Sequence, residues 1–312
     1  MTPAIRPDVR CELDNRLMNT VEVTDRDAMP ADPMLGRLVD ILREMGSVLV
    51  CYSGGVDSAF VLAVAHRVLG EKCIGMTAVS PSLADFEREE AVTLATQIGA
   101  RHELVESNEI EDEDYAKNHV DRCFHCKSEL YRVSDKKQHE WGLAFSVNGT
   151  NLDDLGDYRP GLDAAKKAGA RSPLVEAGFT KADVRRVAQL LGLPVWDKPA
   201  AACLSSRLPY GTRVTRERLT QIGSLEAEIH ALGVRQARVR WHGVGGTEGT
   251  KESSMARVEI GRDEMELAFA ARDSIVEAGK RLGFAYVTLD LAGYRTGSHN
   301  EILRGRSLPV VS

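Results

Sequence analysis

Ser53-Gly54-Gly55-Val56-Asp57-Ser58 puts two glycines, two hydroxyls and a carboxylate into six consecutive positions. Glycines let backbone N–H groups close on an anion, and a helix starting at such a turn aims its positive end at the same point. Ser53 and Ser58 can donate to phosphate oxygens. Asp57 would repel them unless a Mg2+ ion bridges the two. A Gly-Gly turn with a Ser/Asp helix cap is the plainer reading of the same letters. What favours phosphate is the place of the hexapeptide, between a buried apolar run and an apolar helix.

Cysteine supplies a second chemistry. Of the six cysteines, Cys123 and Cys126 stand three apart in Cys123-Phe124-His125-Cys126, and Cys203 follows 77 positions after Cys126 (203 − 126). Two thiols at that spacing share one helical face or one tight loop and can bind a single metal centre. Three thiolates on a [4Fe-4S] cluster would leave one iron without a protein ligand, whereas a fourth ligand such as His125 would favour closed tetrahedral zinc. Free, packed thiols are the third option. Cys51 and Cys73 fall in apolar runs and read as packing, and Cys11 lies near the start of the chain; none of the three is assigned chemistry.

The elements that must position these groups alternate. Periodicity predicts a helix from Met34 to Met45, a strand over Ser47–Tyr52, a helix from Ser58 to Leu69 and a strand over Cys73–Val79. Helix Asp85–Ile98, strand His102–Glu106, a helix near Cys126–His139, strand Leu143–Val147 and helix Thr180–Leu191 continue the series, the last opened by a Thr180/Asp183 capping box. Such alternation implies an α/β, doubly wound parallel sheet, with ligands gathered at the carboxyl ends of the strands. Beyond Pro209-Tyr210-Gly211 the pattern changes to a smaller α+β unit: helix Thr215–Leu232, strands Ala237–Trp241 and Ala256–Ile260, helix Arg262–Leu282 and strand Ala285–Leu289. The domain expectation is a leader over 1–33, a nucleotide domain over 34–210 and a C-terminal domain over 211–312. Gly243–Ser254, rich in glycine and serine, reads as a loop.

Composition narrows the function. The chain has 312 residues, 43% of them hydrophobic and 28% charged, as in an ordinary globular protein. No apolar run approaches the roughly 18 residues of a membrane span, and the first ten residues lack a secretory apolar stretch, so a cytoplasmic address is expected. A net charge of −6 makes a large nucleic-acid footprint unexpected and favours a small-molecule partner.

SGGVDS matches the SGGxDS signature of PP-loop ATP pyrophosphatases. More of the chain resembles one branch of them, the LarE family of sulfurtransferases in nickel-pincer nucleotide biosynthesis. The resemblance runs through Gly149-Thr150-Asn151-Leu152-Asp153-Asp154, Asp157–Gly161, Ser172–Leu174, Trp196-Asp197-Lys198-Pro199, Ala202–Gly211, Arg238-Val239-Arg240 and Tyr286–Ser298, covering most of residues 34–300. It implies an adenine nucleotide α-hydrolase-like fold. It also implies that ATP adenylates a carboxylate of pyridinium-3,5-biscarboxylate mononucleotide, that pyrophosphate leaves and that sulfur displaces AMP, with two rounds giving the bis-thio product.

For the site, the resemblance implies Ser53, Gly54, Gly55, Asp57, Ser58, Gly149 and Asp153 for ATP and Mg2+, with Asp57 and Cys203 catalytic. Asp153 and Asp154 could instead serve the ribose or simply turn the chain. Arg207, Arg238 and Arg240 would bind the substrate phosphate; Arg238 and Arg240 alternate on a strand and so share a face. In one branch of the family a single cysteine, here Cys203, gives up its sulfur and becomes dehydroalanine. The companions Cys123 and Cys126 resemble the other branch, where three cysteines hold a [4Fe-4S] cluster carrying transferable sulfide. Sulfide or another sulfur donor is then a partner, and a homo-hexamer is implied. Competing readings are a cluster-dependent tRNA thiolase, a non-catalytic nucleotide- or metal-binding module, and an ammonia-dependent amidating enzyme.

Overall fold

The computed structural model describes residues 29–156, 160–199, 202–245 and 253–295. Most of the leader with Cys11, the Asp157–Arg159 part of the resemblance, Ala200 and Ala201, and the centre of the glycine-rich stretch lie outside the described residues.

Helix α1 (Pro33–Met45) begins inside the segment expected as leader. Asp32 caps it by accepting from the backbone of Met34 and Leu35 at 2.9 and 3.0 Å, a contribution of about 1 kcal/mol, and Pro33 supplies the preset first turn. Gly46 ends it at φ +72°, a conformation glycine adopts without strain. There follow β1 (Val48–Cys51), α2 (Val56–Leu69), β2 (Cys73–Val79), α3 (Asp85–Ile98), β3 (Arg101–Glu106), α4 (Glu113–Ala116), α5 (Arg122–Glu140) and β4 (Phe145–Val147). Then come α6 (Pro160–Lys167), α7 (Pro173–Ala177) and α8 (Lys181–Leu190). The strands are parallel in the order β3-β2-β1-β4.

Successive residues of β1 serve opposite faces. Val48 and Val50 enter the core formed with α1, α2 and α8, while Leu49 packs with Met76 and Val133 on the other side. Helices therefore cover both faces, and the sheet is doubly wound. Because β1 has β2 on one side and β4 on the other, the chain departs in opposite directions from this pair. The crevice outside their carboxyl ends is where such sheets bind ligands.

The C-terminal part comprises α9 (Arg216–Ala231), β5 (Ala237–Val244), β6 (Ser253–Ile260), α10 (Met265–Ala270), α11 (Arg272–Arg281) and β7 (Tyr286–Leu289). In this second sheet β5 and β6 are antiparallel and β6 and β7 parallel. Val239, Trp241, Ala256 and Val258 on one face bury themselves with Leu225 and Ile229 of α9 and Ala278 of α11. Two expectations change here. The helix expected over Arg262–Leu282 is a 3-10 turn followed by two helices separated at Ala271, and the Glu264 carboxylate at the first junction accepts from the backbone of Arg235 and Gln236, each at 2.8 Å. The ends of the expected glycine-rich loop are paired strand, Gly243 opposite Ser254 and Val244 opposite Ser253. No helix among the described residues is long and apolar enough to cross a membrane.

Candidate active site

The loop after β1 is shaped by its own serines. Ser58 Oγ, one turn into α2, accepts from the Ser53 backbone at 3.1 Å, lies 3.1 Å from Ser53 Oγ and donates to the Gly55 carbonyl at 3.2 Å. Gly55 is the N-cap of α2, and no side chain caps the helix, so its leading N–H groups and dipole face the loop. Two glycines are required by space. At Gly54, φ is +72° and a Cβ would stand 2.9 Å from that of Ala91. At Gly149, just past β4, a Cβ would meet the Ser58 nitrogen at 2.7 Å and the Asp57 carbonyl carbon at 2.9 Å. The ends of β1 and β4 thus close on each other at the switch point.

Asp57 has two partners that sequence reasoning did not supply. Its Oδ1 accepts from Asn151 Nδ2 at 3.2 Å, and its Oδ2 pairs with Lys181 Nζ. Lys181 opens α8 beside the Thr180/Asp183 capping box. Asp153 works on that helix: its carboxylate accepts from the Lys181 backbone at 2.9 Å. The structure gives Asp153 the task of placing Lys181, one step removed from the phosphate loop. A second lysine, Lys198, donates to the Gly54 carbonyl at 3.2 Å.

The cysteines meet at the same end of the sheet. Cys123 lies in the first turn of α5 and Cys126 opens the second, and Cys203 precedes a 3-10 turn over Leu204–Arg207. That turn is tied down by distant groups. The Leu204 N–H donates to the Ser82 carbonyl at 2.9 Å, Tyr115 Oη lies 2.6 Å from Ser205 Oγ, and Arg122 donates to the Ser205 carbonyl at 2.9 Å. Asn118, fully buried with φ +57°, directs its amide to the carbonyls of Pro209 and Thr212 at 2.8 and 3.0 Å.

Burial pushes the Cys126 thiol up to about 12; Lys127 opposes this, and Cys203 and Cys123 add to it. Arg122 is buried beside them, and although burial disfavours its charge, Cys203 and Cys123 hold its guanidinium above the ordinary range. All three thiols therefore lie within electrostatic reach of one another. Among the described residues the group of ligand atoms all within 4.8 Å of one another is Asp112, Asp114 and His125. The His125 ring nitrogens face Asp112 at 3.4 Å and Asp121 at 3.8 Å.

The three arginines converge behind Cys203, yet not as a solvent-facing phosphate cradle. Arg207 is 1% exposed. Its Nε and Nη2 donate to Glu226 at 2.9 and 3.0 Å, and its Nη1 serves the Cys203 carbonyl and Ser206 Oγ, each at 3.0 Å, as well as the Ala202 carbonyl. With these donors engaged inside the protein, Arg207 ties the cysteine loop to Glu226 of α9. Arg240 donates to the Ser206 carbonyl at 2.9 Å and to Glu259 at 2.8 Å. Arg238, on the same strand face, stacks 5.5 Å over Tyr294. Glu87 on the first turn of α3 lies near Arg207 and Arg238; burial nevertheless keeps its carboxyl above the usual range. Sequence spacing gave no access to Lys181, Lys198, Arg122 or Glu226, because each acts on a partner brought in by the fold.

No family model matches the chain. An uncharacterized protein of Synechocystis sp. is 43% identical over 86% of this chain and 97% of its own length. The tRNA-specific 2-thiouridylase MnmA of Rickettsia felis is 28% identical over 52% of this chain and 54% of its own. A pyridinium-3,5-bisthiocarboxylic acid mononucleotide synthase of Lactiplantibacillus plantarum is 37% identical over 85% of this chain and 93% of its own. With that identity spread over nearly the whole relative, and with SGGVDS at the switch point of a parallel sheet, the chain belongs to the LarE family of PP-loop sulfurtransferases.

Proposed function

We propose that this protein uses ATP to activate a carboxylate of a pyridinium mononucleotide and installs sulfur at the activated carbon. The observation that carries this reading is the shared location of a phosphate loop and a thiol cluster. Lys198 touches Gly54, Cys203 follows five residues on (203 − 198), and the turn after Cys203 is bonded to Ser82 beyond β2. The synthase from Lactiplantibacillus plantarum supports the substrate class.

Each group then has a task. The backbone N–H groups around Gly54 and Gly55, with the start of α2, bind the triphosphate, and Asp57 holds Mg2+. A carboxylate oxygen of the substrate attacks the α-phosphorus; the bond to the β-phosphate breaks and pyrophosphate departs. A sulfur nucleophile attacks the acyl carbon, AMP leaves and a thiocarboxylate remains, with no change in oxidation state at carbon. Bound by Cys123, Cys126 and Cys203, a [4Fe-4S] cluster would supply an iron free of protein ligands at which sulfide can be presented. The other source of sulfur is Cys203 itself: its Cβ–Sγ bond would break with loss of the α-proton, leaving dehydroalanine. That three cysteines lie within electrostatic reach of one another supports the cluster.

Iron and acid-labile sulfide, measured on protein purified without oxygen, test the choice. About four irons per chain in the wild type, lost in Cys123→Ala, Cys126→Ala and Cys203→Ala alike, is the expected result. Absence of iron after anaerobic reconstitution, with a mass loss at Cys203 after turnover matching one molecule of hydrogen sulfide, would overturn the cluster in favour of self-sacrifice.

A further inference from the structure

Lys198 joins the two halves of this site. Its Nζ donates to the Gly54 carbonyl at 3.2 Å and pairs with Glu90 of α3 at 2.9 Å. Gly54 is already wedged against Ala91 of the same helix, so the ammonium fixes a peptide of the loop whose rotation would redirect the Gly55 N–H. In a trans peptide C=O and N–H point in opposite directions, and turning the Gly54 carbonyl toward Lys198 turns the Gly55 N–H away from it.

The backbone around Lys198 is held as firmly. Arg185 donates to the Trp196 carbonyl at 3.1 Å and to the Lys198 carbonyl at 2.9 Å. It stands four residues after Lys181, on the same face of α8, and Lys181 reaches Asp57. One helix face therefore delivers two cations to the loop, one to the Asp57 carboxylate directly and one to the Gly54 carbonyl through the 196–198 backbone. At the far end of the segment Cys203 stands within about 18 Å of Lys198, the extended reach of five residues. Its own position is set by the bonds that Arg207 and Leu204 make.

From this arrangement we infer that Lys198 is a positioning residue that sets the Gly54 peptide for ATP and conveys the occupancy of the phosphate loop to the cysteine segment. The inference rests on the ATP-dependent reading above. In the empty loop the ammonium is shared between the Gly54 carbonyl and the exposed Glu90 carboxylate; a triphosphate in the loop offers it a more highly charged partner, and that difference between the empty and filled loop is what Cys203 senses.

The experiment uses cluster-free full-length protein and measures ATP·Mg2+ affinity by calorimetry and the rate of Cys203 alkylation with and without saturating ATP. In the wild type, ATP changes the alkylation rate several-fold. Lys198→Met weakens ATP by about tenfold, the worth of one charge-assisted hydrogen bond, and at saturating ATP the alkylation rate no longer responds. Lys198→Arg restores the response, and Glu90→Gln retains it. A wild-type response in Lys198→Met, or its loss in Glu90→Gln, overturns the inference. Should Lys198→Met fail to fold, Lys198→Gln carries the same comparison. Wild type that binds no ATP would sink the ATP reading itself; wild type that binds ATP without any change at Cys203 sinks the coupling alone.

Discussion

At the residue scale, the site depends on positions where one atom more or one charge fewer is not tolerated. A Cβ at Gly149 would press on the backbone of Asp57 and Ser58, which cannot swing aside as a side chain could. Gly149→Ala is therefore expected to abolish ATP–pyrophosphate exchange while Tm falls by only a few degrees; exchange at the wild-type rate would show that the β4 end can retreat. Glu226 is fully buried, neutralises Arg207 and also accepts from the Val239 backbone at 2.8 Å. Removing it in Glu226→Ala leaves an uncompensated guanidinium and costs about 3–5 kcal/mol, to be read from urea denaturation. A loss below about 1 kcal/mol, as for an exposed pair, would mean that Arg207 finds another partner.

At the element scale, strand and helix chemistry decide what is stable at which pH. His102 of β3 lies 2.8 Å from Thr77 Oγ1, which donates to the Tyr52 carbonyl, so the imidazole is the donor through Nε2–H. Burial lowers its pKa below the ordinary value of 6.5. Above that pH both states are neutral and the fold has its full stability. As pH falls, the unfolded chain takes up the proton first, and stability drops until the folded imidazole is protonated too. His102→Gln should flatten part of the fall in denaturation midpoint between about pH 7 and pH 5. His242, also lowered by burial and by Arg257, leaves a residual slope. An unchanged slope in His102→Gln would refute the assignment.

Much of this level was legible in the sequence. The boundaries of β2 and α3 agree with their periodicity, and the Thr180/Asp183 box opens α8 as expected, since apolar spacing and caps are local signals. What could not be read is non-local. Lys181 reaches Asp57 across 124 positions, and Glu226 meets Arg207 over 19, so nothing in the spacing distinguishes them from surface charges. The broken helix after Gly261 has a similar origin in Glu264, whose carboxylate is claimed by the backbone at Arg235 and Gln236.

At the scale of the whole molecule, the two sheets share one seam. Leu204 and Leu208 of the cysteine turn are buried in the C-terminal core, while the Leu204 N–H is bonded to Ser82 beyond β2. In a chain of net charge −6 the cations of this region come in pairs with carboxylates, Lys181 with Asp57, Lys198 with Glu90, Arg207 with Glu226 and Arg240 with Glu259. The Asp57–Lys181 pair adds a rule about order of arrival. A bare divalent cation must evict an ammonium group to reach Asp57, whereas a nucleotide brings phosphates that offer that ammonium a new partner. Magnesium should give no binding heat without ATP, and Lys181→Met should acquire it; magnesium binding to the nucleotide-free wild type would refute this. A carboxylate that stays occupied until its proper cargo appears makes the empty enzyme indifferent to the ions around it.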